Sequence, residues 1–570
     1  MKFYIIFITT IILTFQAGWV NLHAAPIHDH HPQRILFKFT ESSELFEAVQ
    51  YQIRSAGSLS IQSDDPVTSG EIQKFMRESH FTSFQPLTPY DFTETTSQGL
   101  ERIFLAVITD EHAIGDVLSI LQRRPDIEYA EPDYIGYGGG AVCNDDELLL
   151  SKVDDSFPND TYFPNQWGLH NTGQMIGGFS GLRGADINIL DGWDITTGSS
   201  DIIMAVLDSG IPRNHPEFSG RLVAGYDFVN NNTDPGDDHG HGTSVTSIAA
   251  ATGNNNGIMA GVDWNVKIMP VKILNQNNSG LYSWWINGVR FAVDNGTHVI
   301  NMSVGGSGFS QPLKDAVDYA LDNGVIVVAC MMNDNNDVTF YPAGYEGVIS
   351  VGAYNNRDVR AVPFCWGGGS NYGNHIDFAA PGERIVSLSY QNFNAAGFWC
   401  GTSQAAPMVA GTITLMLSIN PGLKRDEIYD ILKETSRNQV HPPVKAVQNW
   451  DHYYGWGRID AYAALEEVRR ITTVSEHVAA DVPDVYSLSQ NYPNPFNPST
   501  TIDYTVAEPG HVRITIYSIL GAKIGTIVDD YQRAGTYSVT FDAANLPGGV
   551  YLYSMQTDHF AQKRKMVYVK

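Results

Sequence analysis

Cysteine is scarce in this chain: four in 570 residues, Cys143, Cys330, Cys365 and Cys400. That excludes a disulfide scaffold, in which many bridges staple a small loop-rich fold. Positive charge is short as well. Lys and Arg total 35 against 62 Asp and Glu, a formal net charge of −27, which disfavours nucleic acid or anionic lipid as a partner and favours solubility outside the cell. Beyond the N-terminus no run is long and apolar enough to predict a membrane helix. The apolar stretch Phe3–Phe15 behind Lys2 is too short to span a bilayer. With small residues following at Ala24 and Ala25, it reads as an export signal over residues 1–24.

What the chain does have is size and a globular composition. At 570 residues, 43% of them hydrophobic, it predicts three or four folded units. Strands at 34–41 and 102–108, helical periodicity at 44–54 and 112–124, and a strand at 127–137 predict a small α+β module over 33–137. Gly138–Gly140 and the acidic Asn144–Glu147 predict a flexible connector within a 138–160 linker, a natural place for proteolytic release. Over 161–468, Val/Ile-rich runs such as DIIMAVLD, NVKIMPVKIL, THVINMSV, GVIVVAC and VISVGAY alternate with helices. That pattern predicts an α/β domain, a parallel sheet with helices on both faces. Ligands in such sheets bind at the C-terminal strand ends, where Asp208, Ser303 and Asn333 fall. A second linker is expected at 469–486. Residues 487–570 alternate short strands with Gly and Pro turns, the pattern of an all-β Ig-like sandwich.

Three motifs carry chemistry. IIMAVLDSGIPRNHP (202–216) ends a strand at Asp208, DDHGHGTSVTSIAAATG (237–253) holds His241, and CGTSQAAPMVAG (400–411) holds Ser403. An acid, an imidazole and a hydroxyl are what acyl transfer needs: the hydroxyl attacks, the imidazole takes its proton, and the carboxylate fixes the tautomer. Singly, each motif is also an ordinary strand end or helix start; together, in one order, they predict a hydrolase. His241 is preferred to His239 because Gly242-Thr243-Ser244 opens a small-residue helix there, leaving His239 in a solvated turn. Ser403 is expected at the start of a helix to about Ile419, where exposed N–H groups favour an oxyanion. Pro407 is near enough to that start to be tolerated. Cys400 precedes the Gly-Thr turn and reads as packing or half a disulfide. If maturation removes Cys143, three cysteines remain and at least one is unpaired.

The order Asp, His, Ser, together with VINMSVGG (299–306), VIVVACMMND (325–334), YPAGYEGVISVGA (341–353), IDFAAPG (376–382) and YGWGRIDAYAAL (454–465), resembles the subtilisin-like serine peptidases, or subtilases. The likeness spans residues 160 to 468. It implies a secreted serine endopeptidase made as a precursor, acting on polypeptide substrates through an acyl-enzyme and needing no cofactor for catalysis. It also implies that 33–137, ending YAEPDY, is an inhibitory propeptide whose tail lies in the active-site cleft. By the same likeness Asn333 is an oxyanion donor, Ser303, Val304 and Gly305 form the substrate-binding edge, and Ala343 lies on the pocket wall. Glu217 with Asn254–Asn256 aligns with a loop that binds structural calcium in many subtilases. One departure stands out: Cys330, Met331 and Met332 replace the family's small residues before Asn333. Either the loop adjusts or the pocket narrows; otherwise the expected preference is broad with an apolar lean. The tail's YPNPFNPST, LPGGVYLY (546–553) and QKRKMVYVK (562–570) resemble the sorting domains of type IX secretion, implying outer-membrane secretion machinery as a partner and release or surface display by a Gram-negative bacterium. Two alternatives are an inactive subtilase fold serving as a surface-binding module and, for the tail, an adhesive Ig-like module. An esterase is disfavoured because the Gly-x-Ser-x-Gly elbow is missing.

Overall fold

The computed structural model describes residues 30–56, 60–63, 68–88, 99–108, 114–143, 158–437, 450–480, 485–532, 534–557 and 559–570. The expected export signal and the acidic stretch 144–147 lie outside them. Two compact units divide the chain, residues 1–466 and 467–570. No helix among the described residues is long and apolar enough to cross a membrane.

The first unit begins with a two-layer module. Strands His30–Phe39, Ile61–Gln62, Phe81–Pro86, Ile103–Ile108 and Ile127–Gly138 form an antiparallel sheet, packed with helices Glu44–Ala56, Gly70–Glu78 and Ile114–Leu121. Its core is aromatic: Phe37, Phe39, Phe46, Phe75, Phe81, Phe84 and Phe104 are all buried, with Phe37 and Phe104 stacked at 5.7 Å. Alternation supplies this face along two strands, as Ile35, Phe37 and Phe39 and as Phe104, Ala106 and Ile108, while Leu36 and Ile103 are buried on the other side.

The larger part of this unit is built on seven parallel strands, in the order Tyr226–Asp227, Lys267–Lys272, Ile203–Asp208, Val299–Met302, Ile326–Cys330, Ile349–Tyr354 and Phe378–Pro381. Ala205, Leu207, Val271, Ile300, Met302, Val327 and Ala329 share one cluster with helices Tyr282–Asp294 and Gln311–Asp322. Side chains alternate between faces along a strand, so the intervening residues face the other way. Helix Thr402–Ile419 packs on these strands and is buried from Thr402 to Leu417. Ala405, Ala406, Ala410 and Gly411 keep it thin; a Cβ on Gly411 would come 2.8 Å from Val262 Cβ.

Two expectations change. Gly138 ends a strand and Ala141–Val142 forms another, so this stretch is ordered rather than a flexible connector. Helix Ala461–Ala480 runs on through most of the expected 469–486 linker.

In the second unit, Ser487–Leu488, Ser499–Val506 and Gly535–Asp542 form one antiparallel sheet. Lys523–Gln532, Gly510–Ser518, Gly549–Gln556 and Ala561–Tyr568 form another. Leu488, Ile502 and Tyr504 share a single core with Ile514, Ile516 and Tyr553 of the other sheet.

Candidate active site

Asp208 ends the strand Ile203–Asp208, and His241 begins the helix His241–Ala250. The Nδ1 of His241 lies 2.7 Å from Asp208 Oδ1, with both side chains buried. The same carboxylate oxygen accepts the Ser209 N–H at 2.7 Å. Gly242 permits the approach of the two segments, since a Cβ there would overlap the Gly210 carbonyl. Asp237 holds the turn: it accepts the N–H groups of His239, Gly240 and Thr243 at 3.0, 2.8 and 2.9 Å and the Ser209 hydroxyl at 2.8 Å. Sequence reasoning missed Asp237, although an acid at a helix start is a recognisable capping signal. His239 is half-buried rather than solvated, and burial and the neighbouring His241 lower its pKa.

Ser403 sits in the first turn of its helix. Pro407 has no N–H to give the Ser403 carbonyl, and the Ser303 hydroxyl donates to that carbonyl instead, at 3.0 Å. The Ser403 hydroxyl donates to the Ser303 carbonyl at 2.9 Å and lies 3.8 Å from Cys330 Sγ. It makes no hydrogen bond to the imidazole, whose Nε2 is buried without a hydrogen-bond partner among the described residues. Burial pushes the Cys330 thiol up to about 11, so at neutral pH it is a protonated neighbour and no competing nucleophile.

The cleft beside Ser403 is occupied by this chain's own residues 134–143. The Ile127–Gly138 strand pairs antiparallel with Ser279–Leu281 on one side and Val304–Gly305 on the other. Gly139 N–H donates to the Ser303 carbonyl at 3.1 Å. The Gly139 carbonyl accepts the Ser403 backbone N–H at 3.2 Å and, in a short hydrogen bond, the Asn333 side-chain amide. Asn333 Oδ1 in turn accepts the Thr402 N–H at 2.8 Å and the Thr402 hydroxyl at 3.1 Å, which fixes the amide's orientation. Past Gly140 the chain pairs with Ala396–Cys400, then closes a disulfide between Cys143 and Cys365. Cys400 is a buried free thiol, pushed up by burial.

Two acids anchor the inserted strand on helix starts, accepting the N–H groups left free there. Asp133 accepts the Ser283 N–H at 3.0 Å and its hydroxyl at 2.8 Å, and pairs with Arg34. Glu131 accepts the Gln311 N–H at 3.1 Å, and burial lifts its carboxyl to about 7.

Of the remaining expected positions, Ala343 is buried in the core. Met332 has a left-handed backbone, φ +68°, and its side chain lies against Gly305. The loop at Asn254–Asn256 does meet Glu217, joined by Asp160. Glu217 accepts from Ile258 N and Asn255 Nδ2 at 2.6 and 3.1 Å, and Asp160 from Asn254 N and Asn255 N at 2.7 and 3.4 Å. Each of the four carboxylate oxygens accepts one N–H and keeps a second lone pair, so two carboxylates facing this loop remain oxygen donors of the kind calcium takes.

Residues 199–457 match the model of the subtilase family, and residues 490–570 that of a secretion system C-terminal sorting domain. The chain is 36% identical over 350 residues to a thermophilic serine proteinase of Bacillus sp. (strain AK1), covering 61% of this chain and 75% of that protein. Thermitase of Thermoactinomyces vulgaris is 34% identical over 310 residues, 54% of this chain and 99% of that one. Subtilisin E of Bacillus subtilis (strain 168) is 36% identical over 276 residues, 47% and 66%. The chain belongs to the subtilase family and is a subtilisin-like serine endopeptidase carrying a C-terminal sorting domain.

Proposed function

We propose that the protein is a secreted endopeptidase, held as a precursor, that cleaves peptide bonds with Ser403 as nucleophile, His241 as general base and Asp208 as the group orienting the imidazole. The carrying observation is the Gly139 carbonyl, held between the Ser403 N–H and the Asn333 amide. Two donors at one carbonyl oxygen are what a tetrahedral oxyanion needs. Attack requires the Ser403 hydroxyl to leave the Ser303 carbonyl and turn to His241 Nε2. The imidazole then takes the hydroxyl proton, the acyl-enzyme forms on Gly139, and the proton passes to the departing Gly140 amine. Water enters by the same route in reverse. These steps use side chains and backbone amides of this chain alone.

On this reading residues 33–137 are the propeptide and inhibitor, bound as an added strand. The linker 138–160 leads into the catalytic domain of 161–468, and its residues 138–143 lie in the cleft. The β-rich tail from 487 is an Ig-like sorting sandwich addressed to type IX secretion in a Gram-negative bacterium, delivering the enzyme outside the cell or to its surface. The inactive-module alternative leaned on Met331 and Met332. Against it, the Asp208–His241 pair is made and Asn333 is oriented at a carbonyl.

A fluorophosphonate label on the secreted protein, lost in Ser403→Ala, together with a mature N-terminus at Gly140, is the expected result. A labelled Ser403→Ala variant, or no label on the wild type, overturns the assignment.

A further inference from the structure

The segment in the cleft carries glycine at 136, 138, 139 and 140, with only Tyr137 between. Where other residues would place side chains, this protein has bulky groups. A Cβ on Gly136 would overlap the Trp285 ring, and one on Gly138 the Asn278 amide; on Gly140 it would press on Gln404. A Cβ on Gly139, whose carbonyl faces Ser403 N–H, would lie 2.9 Å from Met332 Sδ, 2.9 Å from Ser403 Oγ and 3.0 Å from Cys330 Sγ. Ordinary carbon contacts are about 3.5–4.0 Å, so no residue larger than glycine enters without moving its neighbours.

Trp285, Asn278 and Gln404 touch the segment at their outer atoms, but Met332 is held more firmly. The residue is 7% exposed, and a Cβ on Gly305 would come 2.6 Å from Met332 Cγ and 2.8 Å from its Sδ. Cys330 closes the other side, its thiol 3.7 Å from Met332 Sδ. Glycine at 332 would adopt the left-handed backbone freely, whereas methionine adopts it under strain. What methionine adds is a side chain lying across the pocket floor.

Resting on the peptidase reading, we infer that Met332 and Cys330 fill the pocket for the residue whose carbonyl is attacked, so that the enzyme selects glycine there and takes glycine-rich polypeptides as its substrates. Met332 is the specificity-determining residue. A pocket filled in this way discriminates by steric exclusion and not by added attraction, the repulsive route to specificity.

The test uses the secreted full-length protein with quenched peptides of the cleft sequence IGYGGGAV, carrying Gly, Ala, Leu or Phe at the position of Gly139. Single-methylene differences in a pocket already give roughly 10–200-fold discrimination. Gly should therefore exceed Leu and Phe by at least about 100-fold in kcat/KM. Met332→Gly and Met332→Ala should each raise the Leu and Phe rates at least tenfold relative to Gly. Fluorophosphonate titration of active sites accompanies each rate, so a variant that folds poorly still reports its selectivity as a ratio. A second arm works inside the precursor: Gly139→Phe should stall processing and added Met332→Gly restore it. Wild-type enzyme that labels but cleaves Phe as readily as Gly overturns the pocket assignment alone, as do labelled Met332 variants with unchanged preference. Protein that takes no label overturns the peptidase reading and this one with it.

Discussion

Truncating Asn333 to alanine separates the two jobs of its amide. The Nδ2 donates to the Gly139 carbonyl, and Oδ1 accepts both donors of Thr402, at 2.8 and 3.1 Å. Loss of one oxyanion donor costs about 2.7–4 kcal/mol of transition-state stabilisation, or about 10²–10³ in kcat at 1.36 kcal/mol per decade. KM should hardly move, because backbone pairing with Ser279–Leu281 and Val304–Gly305 is untouched. Losing the acceptor strands the Thr402 N–H and hydroxyl in a buried site, at about 1–3 kcal/mol for an unmet group. Asn333→Asp keeps that acceptor but sets a negative charge against the oxyanion. The two variants should therefore rank oppositely: alanine retains more kcat, aspartate more thermal stability. Steady-state kinetics on the cleft peptide give the first ranking; melting curves in a Ser403→Ala background, free of autolysis, give the second. A kcat for Asn333→Ala within about threefold of wild type would refute the oxyanion assignment.

Asp208→Asn should leave the fold intact and lower kcat by about 10⁴, because the imidazole then presents the wrong tautomer to Ser403; activity within tenfold of wild type contradicts this. Glu131 gives a pH dependence. Burial in the complex lifts its carboxyl from near 4.5 to about 7, so the bound state is the better proton acceptor. Its contribution favours binding fully below about 4.5 and fades as pH rises through 7. The lag between processing and full activity should shorten across that window, and Glu131→Gln should keep the long lag at every pH; a pH-independent wild-type lag rules the effect out. Deleting 487–570 should leave peptidase activity but block delivery, read by cell fractionation; normal export of the truncated chain would count against the sorting role.

The Asp208–His241 pair and the helix start at Ser403 are legible in the sequence because each motif pairs a reactive side chain with the small residues that let segments approach it. Gly242 against Gly210 and the alanines behind Ser403 are such residues. The parallel strands are equally legible, since runs such as IVVAC and ISVGAY are buried at every position. Gly138–Gly140 is not, because nothing local orders it: its partners, among them Asn278, Ser303, Val304, Asn333 and Ser403, lie more than 130 residues away. A triple glycine reads as loose chain until its neighbours are known. Met332 is visible as an anomaly, yet only its φ of +68° and its contact with Gly305 show that the backbone stays left-handed and where the side chain lies. The helix through 469–480 escapes notice because Thr472, Thr473 and Val474 weaken its helical signal.

The disulfide sets a constraint on processing. Cleavage after Gly139 leaves Gly140 three residues from Cys143, which remains bonded to Cys365, while Ala141 and Val142 stay paired with Cys400 and Trp399. The new Gly140 amine is thus kept beside the acyl-enzyme at an effective concentration of roughly millimolar or more. It competes with water: attack on the acyl carbonyl re-forms the Gly139–Gly140 amide and frees the Ser403 oxygen, with the amine proton returning through His241. Cys400 offers no ready escape by exchange, since burial keeps its thiol protonated. Processing should therefore be slow and partly reversible while the bridge is intact. Cys365→Ser should hasten it several-fold and carry it nearer completion, measured as the fraction of chains beginning at Gly140 over time. Identical time courses for the bridged and unbridged precursors would show that the leaving segment departs without regard to its tether.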